Sequence, residues 1–495
     1  MKSDHRIDVA GYGRTWDRPL FFILFFTFAY FYQGGFDGIN SRFDSTLAMA
    51  FRGSSAIDMF HANTVDKIQF QGHYYSAKAP GAALLALPVA YFFSAISDFE
   101  PFLRSGWMPN LALYLATVFS VALLSALSAV CFRRLLVLLN PALTTRQSLV
   151  FTLATYLGTL LLPYSTVLFG HGLAASLLVI GTYLGYEQSS HAKPRRRRLA
   201  LSAVAFGTAA LCEYTAVMLA VPLALAILWS SKNRRASWAV VHFAFLPAML
   251  LFAANTIAFG SPFAFGHGVL IGTLTQGMDP GVFGIGVPSA GVALQLLFGS
   301  YRGLFFYCPV LLVAVSGLVR MPSGAHRWVV YASLLGCAML WLTNAGYPYW
   351  QGGVCFGARH LVPMIPFLAL GFAFMPQRKS FWAEFAVLGL VSLGVNGMGT
   401  AISPFIDGMD TAPLIHTYPQ RALAGAVSLN PMDFLAEVKE SYPRWVHPEL
   451  WQTASWNLGE KLGLRHWFSL LPLLVAWALF LNGLRSPLLR RKRAH

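Results

Sequence analysis

Apolar runs of 15 to 25 residues recur from Pro19 to Leu484, separated by short basic clusters and by four longer polar segments. A helix of about 20 apolar residues crosses a hydrocarbon core roughly 30 Å thick. Inside that core only helices and closed barrels satisfy their own backbone. The runs predict helices over 19–36, 107–131, 147–163, 168–187, 199–214, 216–231, 237–259, 303–320, 327–343, 360–376, 381–400 and 467–484. The expected fold class is an all-α polytopic membrane protein with about 12 transmembrane helices, within a range of about 11–13. The first run follows a polar stretch, 1–18, without a small-residue cleavage site, so it reads as a span and not as a removed signal.

Two stretches break the alternation. Gly81 to Ser97 is apolar enough to resemble a span, but counting it would turn Arg133 and Arg134 outward. It reads as a helix at the outer interface. Residues 199–231 are short for two spans. Two short helices with Glu213 at their outer turn are expected, with one long tilted span as the alternative.

Charge sets the orientation. Basic clusters lie at Lys2 to Arg18, at Arg133, Arg134 and Arg146, at Lys193 with Arg195 to Arg198, and at Lys232, Arg234 and Arg235. Others are Arg320 with Arg327, Arg378 with Lys379, and the tail from Arg485 to Arg493. Placed inside, as the positive-inside rule requires, they leave both termini cytoplasmic. Segments 37–106, 260–302, 344–359 and 401–466 then lie outside and carry most of the 20 acids. Any active site should face outward. The last of these segments, with a helical stretch over Met432 to Tyr442, reads as a small cap.

Composition excludes a soluble domain: 56% of residues are hydrophobic and 11% are charged, against roughly 25% charged in soluble proteins. The net charge of +16 belongs to the clusters between apolar runs, so it does not point to nucleic acid. Arg195 to Arg198 read as a cytoplasmic anchor that attracts anionic lipid. The cysteines show no CxxC and no metal spacing. Cys308 and Cys355 both fall near the outer face, which leaves a disulfide open. His61, His73 and His267 share the outer side without ligand spacing, so no metal and no cofactor are expected. Gly284-Ile285-Gly286 and Gly352-Gly353 lack a following Lys-Ser/Thr and are not phosphate loops.

The richest chemistry follows the first run: Asn40-Ser41-Arg42-Phe43-Asp44, then Asp58, Asp66-Lys67, and Gly72-His73-Tyr74-Tyr75-Ser76-Ala77-Lys78-Ala79-Pro80-Gly81. A carboxylate here could act as general base on a hydroxyl. A lysine could hold a lipid phosphate as a point charge. An ordinary wetted loop is the plain alternative.

Four passages carry a likeness: Tyr74 to Gly81, Leu168-Phe169-Gly170-His171, Phe298 to Pro309 around Arg302, and Trp350 to Pro363 around Arg359. They resemble the GT-C class of polytopic glycosyltransferases, which includes bacterial aminoarabinose transferases and protein O-mannosyltransferases. The layout is similar too: a long first outer loop, a juxtamembrane helix, and short fifth and sixth spans. The likeness covers most of 19–376 and fades in 401–466.

The resemblance implies a GT-C-like catalytic module over 1–400, with interfacial helices in the first periplasmic loop, 37–106. A periplasmic cap, 401–466, and a last transmembrane helix with its basic cytoplasmic tail, 467–495, follow. It implies inverting transfer of a sugar from a polyprenyl-phosphate donor to a lipid, glycan or protein acceptor, at the periplasmic face of a bacterial inner membrane. Lys78 matches the family's lysine beside the donor phosphate. Arg302 and Arg359, at outer ends of spans, could grip the same phosphate or simply snorkel. The family places its acidic base just after the first span. Aligning Arg42 with the family's arginine leaves Ile39 and Asn40 where acids are usual, so Asp44 is the favoured base, followed by Asp58, Asp37 and Asp66. Tyr75, His171, Glu213, Tyr347 and Trp350 are the substrate-binding candidates. A transporter or flippase of lipid-linked glycans is the alternative, although such folds tend to show repeated halves and none stands out here. A scaffold without activity is a third reading.

Overall fold

The computed structural model describes residues 16–96, 110–262, 285–321, 327–406, 410–430 and 454–492. Every predicted span is helical over most of its length. Among the described residues, five helices are long and apolar enough to cross a membrane: Leu111–Leu139, Arg234–Phe259, Arg327–Ala345, Lys379–Ile402 and His466–Leu484. The remaining predicted spans are shorter, broken or, in Gly170–Ser189, less apolar, so length and apolarity alone do not establish twelve crossings. Prolines cause two of the breaks, because proline removes a helix donor and clashes with the preceding turn. Pro309 separates Leu304–Tyr307 from Val310–Leu318. Pro363 and Pro366 leave Arg359–Phe374 as alternating 3-10 and α turns.

The apolar side chains are split between a core and a bare outer surface. Ile257 is 83% exposed and Leu390 70% exposed. Apolar area of this kind belongs against hydrocarbon. At one face, Asp17 receives both Arg133 and Arg134, the latter at 2.6 Å, which ties the start of Asp17–Ala29 to Leu123–Leu139. Residues 199–231 form two helices, Arg196–Cys212 and Val217–Ser230, with Glu213 at their junction; the single tilted span is ruled out.

The first outer loop is built from Asp37–Arg52, a β-hairpin and Gly81–Ser94. The hairpin adds a short strand pair to a mostly helical fold. Lys67–Phe70 pairs antiparallel with His73–Ser76, turning through Gln71 (φ 49) and Gly72 (φ 85). A turn with two positive φ angles matches the twist of paired strands. A second small pairing joins Phe31–Tyr32 to Trp456–Asn457. Trp456 packs against Tyr32 and Tyr114, with ring centroids 5.2 and 4.7 Å apart. The end of the cap segment is thereby pinned to the first helix. All five cysteines are free, so Cys308 and Cys355 form no disulfide. Met432 to Tyr442, His267 and Gly284 lie outside the described residues.

Candidate functional site

Two glycines set the site by letting backbones meet. Gly81 opens its helix against Arg196–Cys212; a Cβ there would lie 2.5 Å from the Leu211 carbonyl carbon. Gly170 opens Gly170–Ser189 against the same end; a Cβ there would lie 2.9 Å from the Cys212 carbonyl carbon. Both contacts converge on the residue before Glu213. They bring Lys78, just before one helix, and His171, in the first turn of the other, to the same end of one cavity, where Lys78 pairs with Asp66 and His171 with Glu213.

These groups stand at the charged end of a cavity of about 860 Å³. Arg42, Lys78, His171, Glu213, Tyr347, Arg359 and His360 line that end. Below it the walls are apolar, with Phe206, Val217, Met218, Val221, Leu225 and Phe252. Val221 and Leu225 are 51% and 58% exposed, so this trough opens to the lipid side.

Arg42 and Arg359 share one ring. Their guanidinium carbons lie 5.3 and 5.4 Å from the centroid of Phe169. Arg42 Nη1 donates to the Gly38 carbonyl at 2.6 Å. The Nε atoms of both arginines are buried without a hydrogen-bond partner. Burial pulls Arg42 down to about 10, with Glu213 opposing and Arg359 adding to the effect. It remains charged at neutral pH. Lys78 Nζ lies 2.8 Å from Asp66 Oδ1. Burial works against the Asp66 charge, but Lys78, then Arg359 and Arg42, hold its carboxyl below the usual range. Lys78 is lowered, by burial first, despite Asp66. His171 Nδ1 lies 2.9 Å from Glu213 Oε2, and the His171 and His360 rings meet edge to face at 5.1 Å. Three cations therefore face two carboxylates here, and two buried N–H donors have no partner. Buried polar groups are normally hydrogen-bonded, so this end is shaped for an added anion.

The structure brings together five of the sequence-derived candidates: Lys78, Arg359, His171, Glu213 and Tyr347. The others do not line the cavity. Asp44 is 1% exposed; its Oδ1 accepts from Asn63 at 3.0 Å, its Oδ2 is buried without a partner, and burial raises its carboxyl. Residues two apart on a helix point about 200° apart, so Asp44 cannot share the cavity face with Arg42. Asp58 is turned to water, accepting from Tyr74 N and lying against His73 Nδ1, both at 2.7 Å. Arg302 is fully buried and donates to the carbonyls of Gln351 at 2.8 Å and Gly353 at 2.9 Å. It clamps the loop that leads to Arg359, and its charge does not reach the cavity. Tyr75 packs on Phe259 and Trp350 on Tyr301, at 5.1 and 6.1 Å.

Sequence reasoning missed Arg42 and His360 as cavity residues and underrated Asp66. The Asp66 carboxylate reaches the first turn of Asp37–Arg52, where a Cβ on Gly38 would lie 3.1 Å from its Oδ2. The hairpin thus delivers a carboxylate next to Ile39 and Asn40, the positions that lack one.

No family model matches the chain, and no curated protein matches it. Among solved structures, it is similar to ArnT from Cupriavidus metallidurans bound to undecaprenyl phosphate, at 13% identity and a TM-score of 0.50, over 94% of this chain and 77% of that one. The same ArnT in the apo state is similar at 13% identity and a TM-score of 0.45, over 94% and 76% of the two chains. The chain therefore has the polytopic membrane fold of ArnT, a glycosyltransferase of the GT-C class.

Proposed function

We propose that this protein is an inverting glycosyltransferase that moves a sugar from a polyprenyl-phosphate donor to a lipid, glycan or protein hydroxyl at the outer face of the membrane. One observation carries the reading: a cavity whose charged end holds Arg42, Lys78 and Arg359 runs directly into an apolar trough open to lipid. That shape matches a phosphate head on an isoprenoid tail. The ArnT of similar fold was crystallised with undecaprenyl phosphate, which supports the same donor chemistry here.

The roles follow from the contacts. Asp66 takes the acceptor proton as the acceptor oxygen attacks the anomeric carbon. The bond from that carbon to the phosphate oxygen breaks, and its electron pair leaves with the polyprenyl phosphate. Arg42, Lys78 and Arg359 hold that charge as it develops, the largest kind of catalytic term in most transfers. At rest Lys78 keeps Asp66 paired; a bound phosphate offers Lys78 a second anion and frees the carboxylate. Glu213, held by His171, and Tyr347 face the sugar hydroxyls. Arg302 positions Arg359 through the loop. The positive-inside rule, applied to the basic clusters, supports a charged end that faces the periplasm.

Release of polyprenyl phosphate from labelled lipid-linked sugars tests this. Asp66→Asn should lower turnover by roughly 10² to 10⁴-fold, while Asp44→Asn should stay within a few-fold of wild type. Full turnover in a folded Asp66→Asn enzyme would remove Asp66 as the base.

A further inference from the structure

A second concave surface lies at the far end of one wall of the donor cavity. Arg196–Cys212 ends at Glu213. At 1.5 Å per residue, its first turn stands about 25 Å away, near the opposite membrane boundary. There it packs against Ala239–His242, and a cavity of about 480 Å³ opens between them. Arg196, Arg197, Arg235, Trp238, His242 and Phe243 line it, and no carboxylate does. Glu187, on the same side, is taken by Arg198. Arg196, Arg197 and Arg235 have no acidic partner among the described residues.

The surroundings say what kind of anion fits. Trp238 is 51% exposed, Phe243 47% and Phe245 61%. Exposed aromatics beside arginines, at a helix end, mark the interface between headgroups and acyl chains. A free anion in water needs only the cations; a lipid uses both the cations and the rings. Basic pockets between helices on such a face are suited to phosphate headgroups.

We propose that this cavity binds the headgroup phosphate of an anionic phospholipid, in the leaflet opposite the charged end of the donor cavity. The site is coupled to that cavity by shared elements. Val240, Val241 and Ala244 line the donor trough, while Trp238, Ala239 and His242 on the same stretch line this site. A lipid held here fixes one wall of the trough. The inference stands on these residues and not on the transferase reading.

Native mass spectrometry of the full-length protein, with phosphatidylglycerol, phosphatidylcholine and inorganic phosphate as separate probes, tests it. Wild type should retain phosphatidylglycerol in preference to phosphatidylcholine. The Arg196→Gln/Arg197→Gln/Arg235→Gln variant should lose roughly a hundredfold in affinity, taking about 1 kcal/mol for each arginine. A control that removes as much charge elsewhere, Arg320→Gln/Arg378→Gln/Lys379→Gln, should keep it. A melting temperature measured without added lipid confirms that the variants are folded. Equal loss in the control would reduce the effect to general surface charge and overturn the site. Inorganic phosphate that competes as well as the lipid, or phosphatidylcholine bound equally well, would overturn the lipid assignment.

Discussion

At the scale of single residues, the proposed chemistry turns on the pairing of Asp66 with Lys78. Both side chains are 20% exposed, and they lie 2.8 Å apart. Removing one partner of such a pair leaves a poorly solvated charge, which costs about 3 kcal/mol. Asp66 is held below its ordinary value, so its charge stabilises the fold fully above the unfolded value near about 3.9. That contribution is lost as pH falls through the lower folded value. The melting-temperature gap between wild type and Asp66→Asn should therefore stay level from pH ~7 to ~4.5 and close below pH ~4. A gap that already narrows near pH ~6 would show that Asp66 titrates high and is not paired. Lys78 and Arg359 were legible in the sequence because the motif around each is distinctive. Asp66 was harder to pick out. The missing acid at Ile39 and Asn40 is supplied from a hairpin more than twenty residues later, and linear spacing does not encode that approach.

At the scale of elements, the site depends on three backbones meeting at Cys212. Gly170 is required there because any Cβ would overlap the Cys212 carbonyl. Overpacking of this kind costs about 1–3 kcal/mol. Gly170→Ala should lower the melting temperature and, by moving His171 away from Glu213, reduce turnover as well. Gly394→Ala is the matched control: nothing lies within 4 Å of its added Cβ, and alanine is the better helix former. Equal behaviour of the two variants would mean that the close approach is not needed. The apolar runs located the helices because burial in lipid demands long apolar segments. The hairpin was readable in retrospect: Ile68 and Phe70 alternate with polar residues ahead of Gln71-Gly72. The breaks at Pro309 and Pro363 were also marked by the residues themselves. The tilt and depth of the short helices were not, since packing against neighbours sets them.

At the scale of the whole molecule, one half of the chemistry is charge and the other half is lipid. The fold gathers Arg42 from the loop helix, Lys78 from the hairpin's exit and Arg359 from a broken helix at one end of an apolar trough. The apolar runs pointed to the fold class, while the convergence of three distant cations required the structure. The most direct test is the affinity of the purified protein in lipid nanodiscs for undecaprenyl phosphate, with undecaprenol as the uncharged comparison. Undecaprenyl phosphate should bind at least tenfold more tightly than undecaprenol, and Arg42→Gln and Arg359→Gln should each remove most of that difference, since a charged hydrogen bond is worth about 1.5–3 kcal/mol. Equal binding of the two lipids, or an unchanged preference in both variants, would contradict the account.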